Sequence, residues 1–162
     1  MNKYIVTLSL FVSFFSYSME NRKLTALASA SCLLAGNTIA GAISDRGLKA
    51  YTADSKCERA RNKYVFTQAL TGALRYGSIF GGLALGWYAA KGKTPDTIWE
   101  PCASVAALMA GGAITYYVQS KTKIMLDENS NLKDAASKKY GNLYLANLPL
   151  LGLGFYGLYR NK

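Results

Sequence analysis

Few side chains in this sequence have the chemistry to bind an ion or to catalyse a reaction. Arg75 is the one ionisable residue inside a long apolar segment, and Asp45 stands at the end of the preceding segment. A charge within a membrane segment is a candidate contact for an ion or a substrate, because it is costly to keep there. The favoured alternative is a structural arginine whose guanidinium extends to the lipid headgroups, with Asp45 as its candidate partner.

Uncharged amides form a second group of candidate residues. They could line a polar pathway through the protein. Amides inside membrane helices more often form hydrogen bonds between helices, at roughly 0.6 kcal/mol each. Both interpretations stay open for the five amides in or beside the apolar segments, which are Asn37, Gln68, Gln119, Asn142 and Asn147.

The residue types of common catalytic and metal sites are missing or dispersed. The chain contains no histidine, which is the commonest metal ligand and general base. Cys32, Cys57 and Cys102 are far apart and form no CxxC pair, which excludes zinc and thioredoxin-like motifs. We therefore predict no catalytic residue, no cofactor and no metal. The acids available to an enzyme would be Asp45, Asp54 and Glu58.

The first eighteen residues have the form of a secretory signal peptide. Lys3 precedes an apolar run at residues 4–15, and Ser16 and Ser18 place small residues at positions −3 and −1 of a cut before Met19. The run is shorter than the roughly 20 residues that a membrane span requires. We predict a signal peptide at residues 1–18, with an uncleaved anchor as the alternative, and one domain at residues 19–162.

Four apolar segments follow, separated by segments rich in lysine and arginine. The first has no charged residue on any face, unlike the core helix of a soluble bundle, and it lacks the alternation of a barrel strand. A soluble bundle is the alternative, because the third segment is only modestly hydrophobic. We predict an all-α membrane protein with four transmembrane helices in an up-down bundle, at residues 24–44, 71–90, 101–119 and 140–159.

The formal net charge is +10, from 19 basic and 9 acidic residues. Because the basic residues flank apolar segments, we predict the lipid bilayer as the partner and no nucleic acid. Residues 45–63 and 120–139 contain eleven basic residues, whereas the other flanks of the apolar segments contain six. The positive-inside rule then places these two predicted loops in the cytoplasm. The predicted location is a membrane crossed several times, the plasma membrane or, in a bacterium, the inner membrane.

Small residues recur at helical spacing in every apolar segment. In lipid, such residues allow helix backbones to approach closely. The second segment carries them on two opposite sides, which predicts a central helix with neighbours on both. The residues predicted to form helix contacts are Gly36, Ala40, Gly77, Gly81, Gly82, Gly86, Ala107, Gly111, Gly154 and Gly157.

These features favour a non-enzymatic scaffold or a subunit of a membrane assembly. Its partners would be other membrane proteins or further copies of the chain. The alternative is a small channel or transporter that uses Arg75 and the amides. A scaffold would bury these polar groups in pairs, whereas a pore would align them along one water-accessible path.

Overall fold

A computed structural model of the chain describes residues 22–91, 99–128 and 133–160. Apart from the turn at residues 54–57, every described residue is helical, so the predicted all-α class is confirmed. The predicted signal peptide at residues 1–18 lies outside the described residues. The four helices are α1 (Arg22–Ala53), α2 (Glu58–Lys91), α3 (Trp99–Glu128) and α4 (Lys133–Arg160).

The helices extend well beyond the predicted spans. They contain 28 to 34 residues, which corresponds to lengths of about 42 to 51 Å, whereas the hydrocarbon core of a bilayer is about 30 Å thick. The prediction of loops at 45–63 and 120–139 is therefore wrong for most of their described residues. α1 and α2 continue to a four-residue turn, and α3 continues to Glu128. Lysine, arginine and glutamate favour helices, so a dense run of charges does not end one.

The turn between α1 and α2 is stabilised by its own polar groups. Oδ1 of Asp54 accepts a hydrogen bond from the backbone N–H of Cys57 at 3.2 Å. The carbonyl of Cys57 accepts one from the N–H of Arg61 at 3.1 Å. Glu58 adds negative charge to the first turn of α2, where the helix dipole favours it. The short turn makes α1 and α2 antiparallel neighbours.

Each helix packs mainly on its neighbours in sequence. Extensive contacts join α1 to α2, α2 to α3 and α3 to α4, in an up-down arrangement. Within the described residues α1 and α4 share no comparable interface, so the helices of this up-down arrangement form an open row. The rings of Phe80 and Phe155 meet edge to face with centroids 5.0 Å apart, so the row is curved and brings α2 to α4. α2 has a neighbour on each of two faces.

Along the predicted spans, small residues face many of the helix contacts and many large apolar residues face outward. Leu34 is 72% exposed, Leu83 57% and Leu145 64%, whereas Leu85, Leu108 and Val118 are buried. The many exposed leucines differ from a soluble core, where leucine is among the most buried residues. In the described part of the chain, two helices are long and apolar enough to cross a membrane, over Leu24–Ala53 and Trp99–Glu128. The buried small residues include Ala28, Ser29, Ala40, Thr71, Ser78 and Ser104.

The end of the molecule that holds the turn 54–57 and the last turns of α3 packs differently. Here large side chains are buried, and Tyr51, Tyr64, Val65 and Ile124 form a hydrophobic cluster. The cluster joins α1, α2 and α3 outside the predicted spans. We call this end the basic end, because its cations include Arg46, Lys49, Arg61, Lys63, Lys121 and Lys123.

Candidate functional site

The backbones of α2 and α3 approach each other at Gly72 and Gly112. A Cβ atom on Gly112 would lie 2.5 Å from the carbonyl oxygen of Gly72 and 2.6 Å from Cγ of Tyr76. A Cβ atom on Gly72 would collide with the carbonyl of Gly112. A carbonyl cannot move without its helix, so both positions require glycine at this helix separation.

Glycines of α2 also leave space for polar and apolar side chains of α1. Oγ of Ser29 donates a hydrogen bond to the carbonyl of Gly82 at 2.6 Å. A Cβ atom on Gly82 would lie 2.6 Å from Cγ of Leu33, and one on Gly86 would lie 3.1 Å from Oγ of Ser29. The absence of side chains at these two glycines therefore makes the carbonyl of Gly82 accessible to the serine.

The same α1–α2 interface continues towards the basic end. A Cβ atom on Gly36 would collide with Ser78 of α2. Ala40 is fully buried, and its carbonyl oxygen lies 3.3 Å from Oγ1 of Thr71, whose hydroxyl is also 2.7 Å from the carbonyl of Thr67. Gly36 and Ala40, predicted as packing residues, thus both lie against α2.

Asn147 occupies the interface between α3 and α4. It is 2% exposed, and its Nδ2 donates hydrogen bonds at 2.9 Å to the carbonyl of Gly111 and to Oγ1 of Thr115. Its Oδ1 is buried and has no hydrogen-bond partner among the described residues. A Cβ atom on Gly111 would lie 2.9 Å from this oxygen. Gly154 faces α3 here as well, since a Cβ atom on it would lie 2.5 Å from Cγ of Leu108.

The remaining predicted packing residues differ in how tightly they are enclosed. A Cβ atom on Gly77 would lie 2.7 Å from Cγ of Met109 of α3, and one on Gly157 would collide with Ser104. At Gly81 the nearest atoms, on Val105 and Cys32, would be 3.7 and 3.9 Å away, which are ordinary contact distances. Ala107 is half-buried. Gly81 therefore has room for a methyl group, whereas Gly77 and Gly157 do not.

Arg75 lies half-buried between α2 and α3. Its Nη1 donates a hydrogen bond to the hydroxyl of Tyr116 at 2.9 Å, and its guanidinium carbon lies 5.8 Å from the centroid of the same ring. Asp45, the partner predicted for it, is exposed on α1. Within the described residues the ion pair that forms joins Arg61 to Glu128, so the expected Arg75–Asp45 pair is replaced by a contact with tyrosine.

The contacts of the five amide side chains do not indicate one common polar pathway through the protein. Nε2 of Gln68 donates a hydrogen bond to Oγ of Ser44 at 2.9 Å, across the α1–α2 interface. Nδ2 of Asn37 donates to the carbonyl of Leu33 in its own helix at 2.8 Å. Gln119 and Asn142 are exposed. The engaged polar groups are thus distributed over different helices and interfaces.

A cluster of polar and aromatic side chains joins α1, α2 and α3 at the basic end. The rings of Tyr51 and Tyr64 stack with centroids 4.9 Å apart, and the hydroxyl of Tyr51 donates a hydrogen bond to Oδ2 of Asp127 at 2.8 Å. Burial, and then the neighbouring Asp127 carboxylate, raise the pKa of Tyr51 to about 12. The same two causes raise the pKa of Tyr64. Both tyrosines are therefore neutral at physiological pH, and the Tyr51 hydroxyl keeps the proton that it donates to Asp127.

Replacing Tyr51 by phenylalanine tests the bond to Asp127. We expect the variant to lose stability by about 1 to 2 kcal/mol, since the ring stack remains and a bond to a carboxylate is removed. The folded pKa is raised from 10 to about 12, so the stabilisation is present below pH 10 and is lost as the pH rises through 12. Ultraviolet titration of wild-type protein minus Tyr51→Phe should show one tyrosine ionising near pH 12. A difference spectrum with a midpoint at pH 10 would contradict this assignment.

Replacing Asn147 by alanine tests the α3–α4 interface. The change removes two hydrogen bonds across the interface, and we expect a loss of about 1 to 2 kcal/mol in unfolding free energy. The measurement is reversible unfolding by a denaturing detergent, followed by circular dichroism. The exposed amide Asn142, on the same helix, is the matched control, and Asn142→Ala should have no effect. Equal effects of the two changes would contradict the structural role of Asn147.

Gly112 and the basic-end cluster are the functional candidates that the sequence patterns missed. Gly111 and Gly112 are adjacent, which is about 100° around a helix, and they contact α4 and α2 respectively. A tandem glycine is thus a signal for a helix with neighbours on two faces. The cluster has no such signal, because Tyr51, Tyr64 and Asp127 meet only through the antiparallel packing.

Comparisons with models of protein families, with curated proteins and with solved structures found no match for this chain.

Proposed function

We propose that this chain is a multi-pass membrane protein that acts as a non-enzymatic scaffold or as a subunit of a membrane assembly. The observation that carries the proposal is the number of large apolar side chains exposed along the predicted spans. Leucines such as Leu34 and Leu153 face outward, while serine, threonine, alanine and glycine occupy many of the helix contacts. Lipid is a solvent for exposed leucine, and close contacts of small residues hold helices together in it.

In this proposal, the two helices that are apolar enough to cross a membrane imply that all four helices cross it. α1 and α3 have the length and hydropathy of membrane helices. α2 packs along both of them, from Gly72 against α3 to Gly82 against α1, and α4 packs along α3 through Asn147 and Gly154. Helices in contact over the same stretch lie at the same depth, so α2 and α4 would cross the bilayer with their neighbours.

Aromatic residues at the end opposite the basic end support the same placement. Trp87, near the end of α2, is 46% exposed, and Trp99, at the start of α3, is 80% exposed. The Nζ atom of Lys91 lies 4.9 Å from the centroid of the Trp87 ring. Tryptophan and lysine in such positions are typical of the interface between lipid and water.

The engaged polar groups favour a scaffold over a channel or transporter. Arg75 is bonded to Tyr116 between α2 and α3, Asn147 to Gly111 between α3 and α4, and Gln68 to Ser44 between α1 and α2. Each interface thus holds its own polar pair, which is buried at Asn147 and part-buried at the other two, as we expect for groups that fix helix positions. A conducting path would need them to face one common space.

The proposal is tested by extraction and purification. We expect the protein to resist an alkaline wash of membranes, and to be isolated in mild detergent with a partner, or with further copies of itself, at fixed stoichiometry. Release by the alkaline wash would contradict the membrane location. An ion flux in reconstituted vesicles that is lost in Arg75→Gln would contradict the scaffold and support the channel.

A further inference from the structure

A groove of about 600 Å³ opens on the surface of the basic end, between α1 and α2. Arg46 and Lys49 of α1 and Lys63 of α2 line it, together with Ile43, Ala50 and Thr67. It is therefore a mixed surface, with three cations around an apolar floor.

The helix contact beside the groove explains how these residues come together. Ile43, Arg46 and Ala50 lie three, four and seven residues apart, on one face of α1, and Lys63 and Thr67 lie one turn apart on α2. A Cβ atom on Gly47 would collide with Thr67. The helices therefore meet closely at Gly47, and longer side chains on either side of this contact form the walls of the groove.

The three cations are available to an anion. All three are exposed, and none is in an ion pair within residues 22–91, 99–128 and 133–160, where the pair that forms is Arg61–Glu128. Asp45 precedes Arg46 on α1, and its side chain is not part of the groove lining. The lining therefore carries positive charge without a carboxylate.

The groove lies at the depth of lipid headgroups if α1 crosses the bilayer at residues 24–44. Ile43 is in the last turn of that span, and Arg46, Lys49 and Ala50 follow within two turns. Ile43 then lies at the edge of the hydrocarbon, and Arg46, Lys49 and Lys63 lie further out. This arrangement matches a phospholipid, whose phosphate is joined through glycerol to apolar chains.

We propose that this groove binds the headgroup phosphate of an anionic phospholipid. Arg46, Lys49 and Lys63 contact the phosphate, while Ile43, which lies nearer the hydrocarbon, contacts the glycerol and the first methylene groups. The site lies on the side of the membrane that the positive-inside rule assigns to the cytoplasm, where anionic lipids attract basic residues. This inference rests on the proposed membrane location.

The test is native mass spectrometry of the full chain in a neutral detergent, titrated with phosphatidylglycerol or phosphatidylcholine. We expect wild-type protein to retain one phosphatidylglycerol in preference to phosphatidylcholine. The variant Arg46→Gln/Lys49→Gln/Lys63→Gln should bind phosphatidylglycerol at least about tenfold more weakly. The control Lys56→Gln/Arg59→Gln/Lys138→Gln removes the same charge from exposed positions outside the groove, and it should retain the preference.

The outcomes separate this inference from the membrane location. Equal binding by the two triple variants, or no preference in wild-type protein, would overturn the headgroup site while leaving the membrane location intact. Displacement of the lipid by inorganic phosphate would show that the cations bind phosphate alone, which also overturns a lipid site. Release of the wild-type chain from membranes by an alkaline wash would overturn both. Circular dichroism of the two variants should match wild type, so that a loss of binding reports the groove.

Discussion

Gly112→Ala should destabilise the protein, although alanine is the better helix former. The new methyl group would lie 2.5 Å from the carbonyl oxygen of Gly72 and 2.6 Å from Cγ of Tyr76. Relieving this contact requires α2 and α3 to separate, which costs about 1 to 3 kcal/mol or more. The intrinsic helix preference returns at most about 1 kcal/mol. We therefore expect a net loss of unfolding free energy in detergent, and a larger loss for Gly112→Leu, which adds more bulk at the same place.

Helical glycines with open surroundings provide the matched control. No atom lies within 4 Å of a Cβ built on Gly41, Gly141 or Gly152. Gly152→Ala should therefore leave the protein unchanged or stabilise it by up to about 1 kcal/mol. The opposite signs at Gly112 and Gly152 separate helix contact from helix preference. Equal shifts in the two unfolding transitions would refute the close approach of α2 and α3.

Thiol labelling should give an all-or-none difference between the two ends of the molecule. Cys57 precedes α2 at the basic end, and Cys102 lies in the first turn of α3 at the opposite end. α2 alone is about 51 Å long. In intact cells, a membrane-impermeant reagent should label a chain whose sole cysteine is Cys102, and it should not label one whose sole cysteine is Cys57. This follows from the eleven-to-six asymmetry of basic residues.

The labelling needs two single-cysteine chains in a common background. Cys32→Ala removes the cysteine within α1, and a second alanine replaces either Cys57 or Cys102. Cys57 is half-buried, so its labelling after the membranes are opened is the essential positive control. Labelling of Cys57 from outside would reverse the orientation. A Cys57–Cys102 disulfide would contradict the fold itself, since bridged Cα atoms lie within about 7 Å.

Part of the packing could be predicted from the sequence because glycine in apolar membrane helices commonly marks the places where helix backbones approach closely. The spacing of Gly77, Gly82 and Gly86 indicates that the second helix has neighbours on two sides, and these residues contact α3 and α1. Gly72 does not follow this pattern. By helical spacing it lies on the same side of α2 as Gly82 and Gly86, yet it contacts α3, because crossing helices do not keep one stripe against one neighbour along their whole length.

The helical structure of the basic end could not be predicted from residue patterns. A run such as 45–63 is polar, and polarity alone indicates a loop, whereas the lysines and arginines of this run are also good helix formers. The partner of Arg75 failed for a related reason. Asp45 was at the expected depth, but Tyr116 faces Arg75 across the α2–α3 interface. The depth of a residue along the helix bundle follows from its position in the sequence. The direction in which its side chain faces around the helix axis depends on how the helices cross.

If the chain crosses the bilayer as proposed, the joining of three helices at the basic end affects how the protein adapts to the thickness of the membrane. Tyr51 of α1 stacks on Tyr64 of α2 and is bonded to Asp127 of α3. A hydrophobic mismatch is commonly relieved by a change of tilt. Helices joined in this way cannot tilt independently at their joined ends. In a bilayer of different thickness, α1, α2 and α3 would therefore change their tilt together. The larger displacements would then fall at the opposite end, where Trp87 and Trp99 lie.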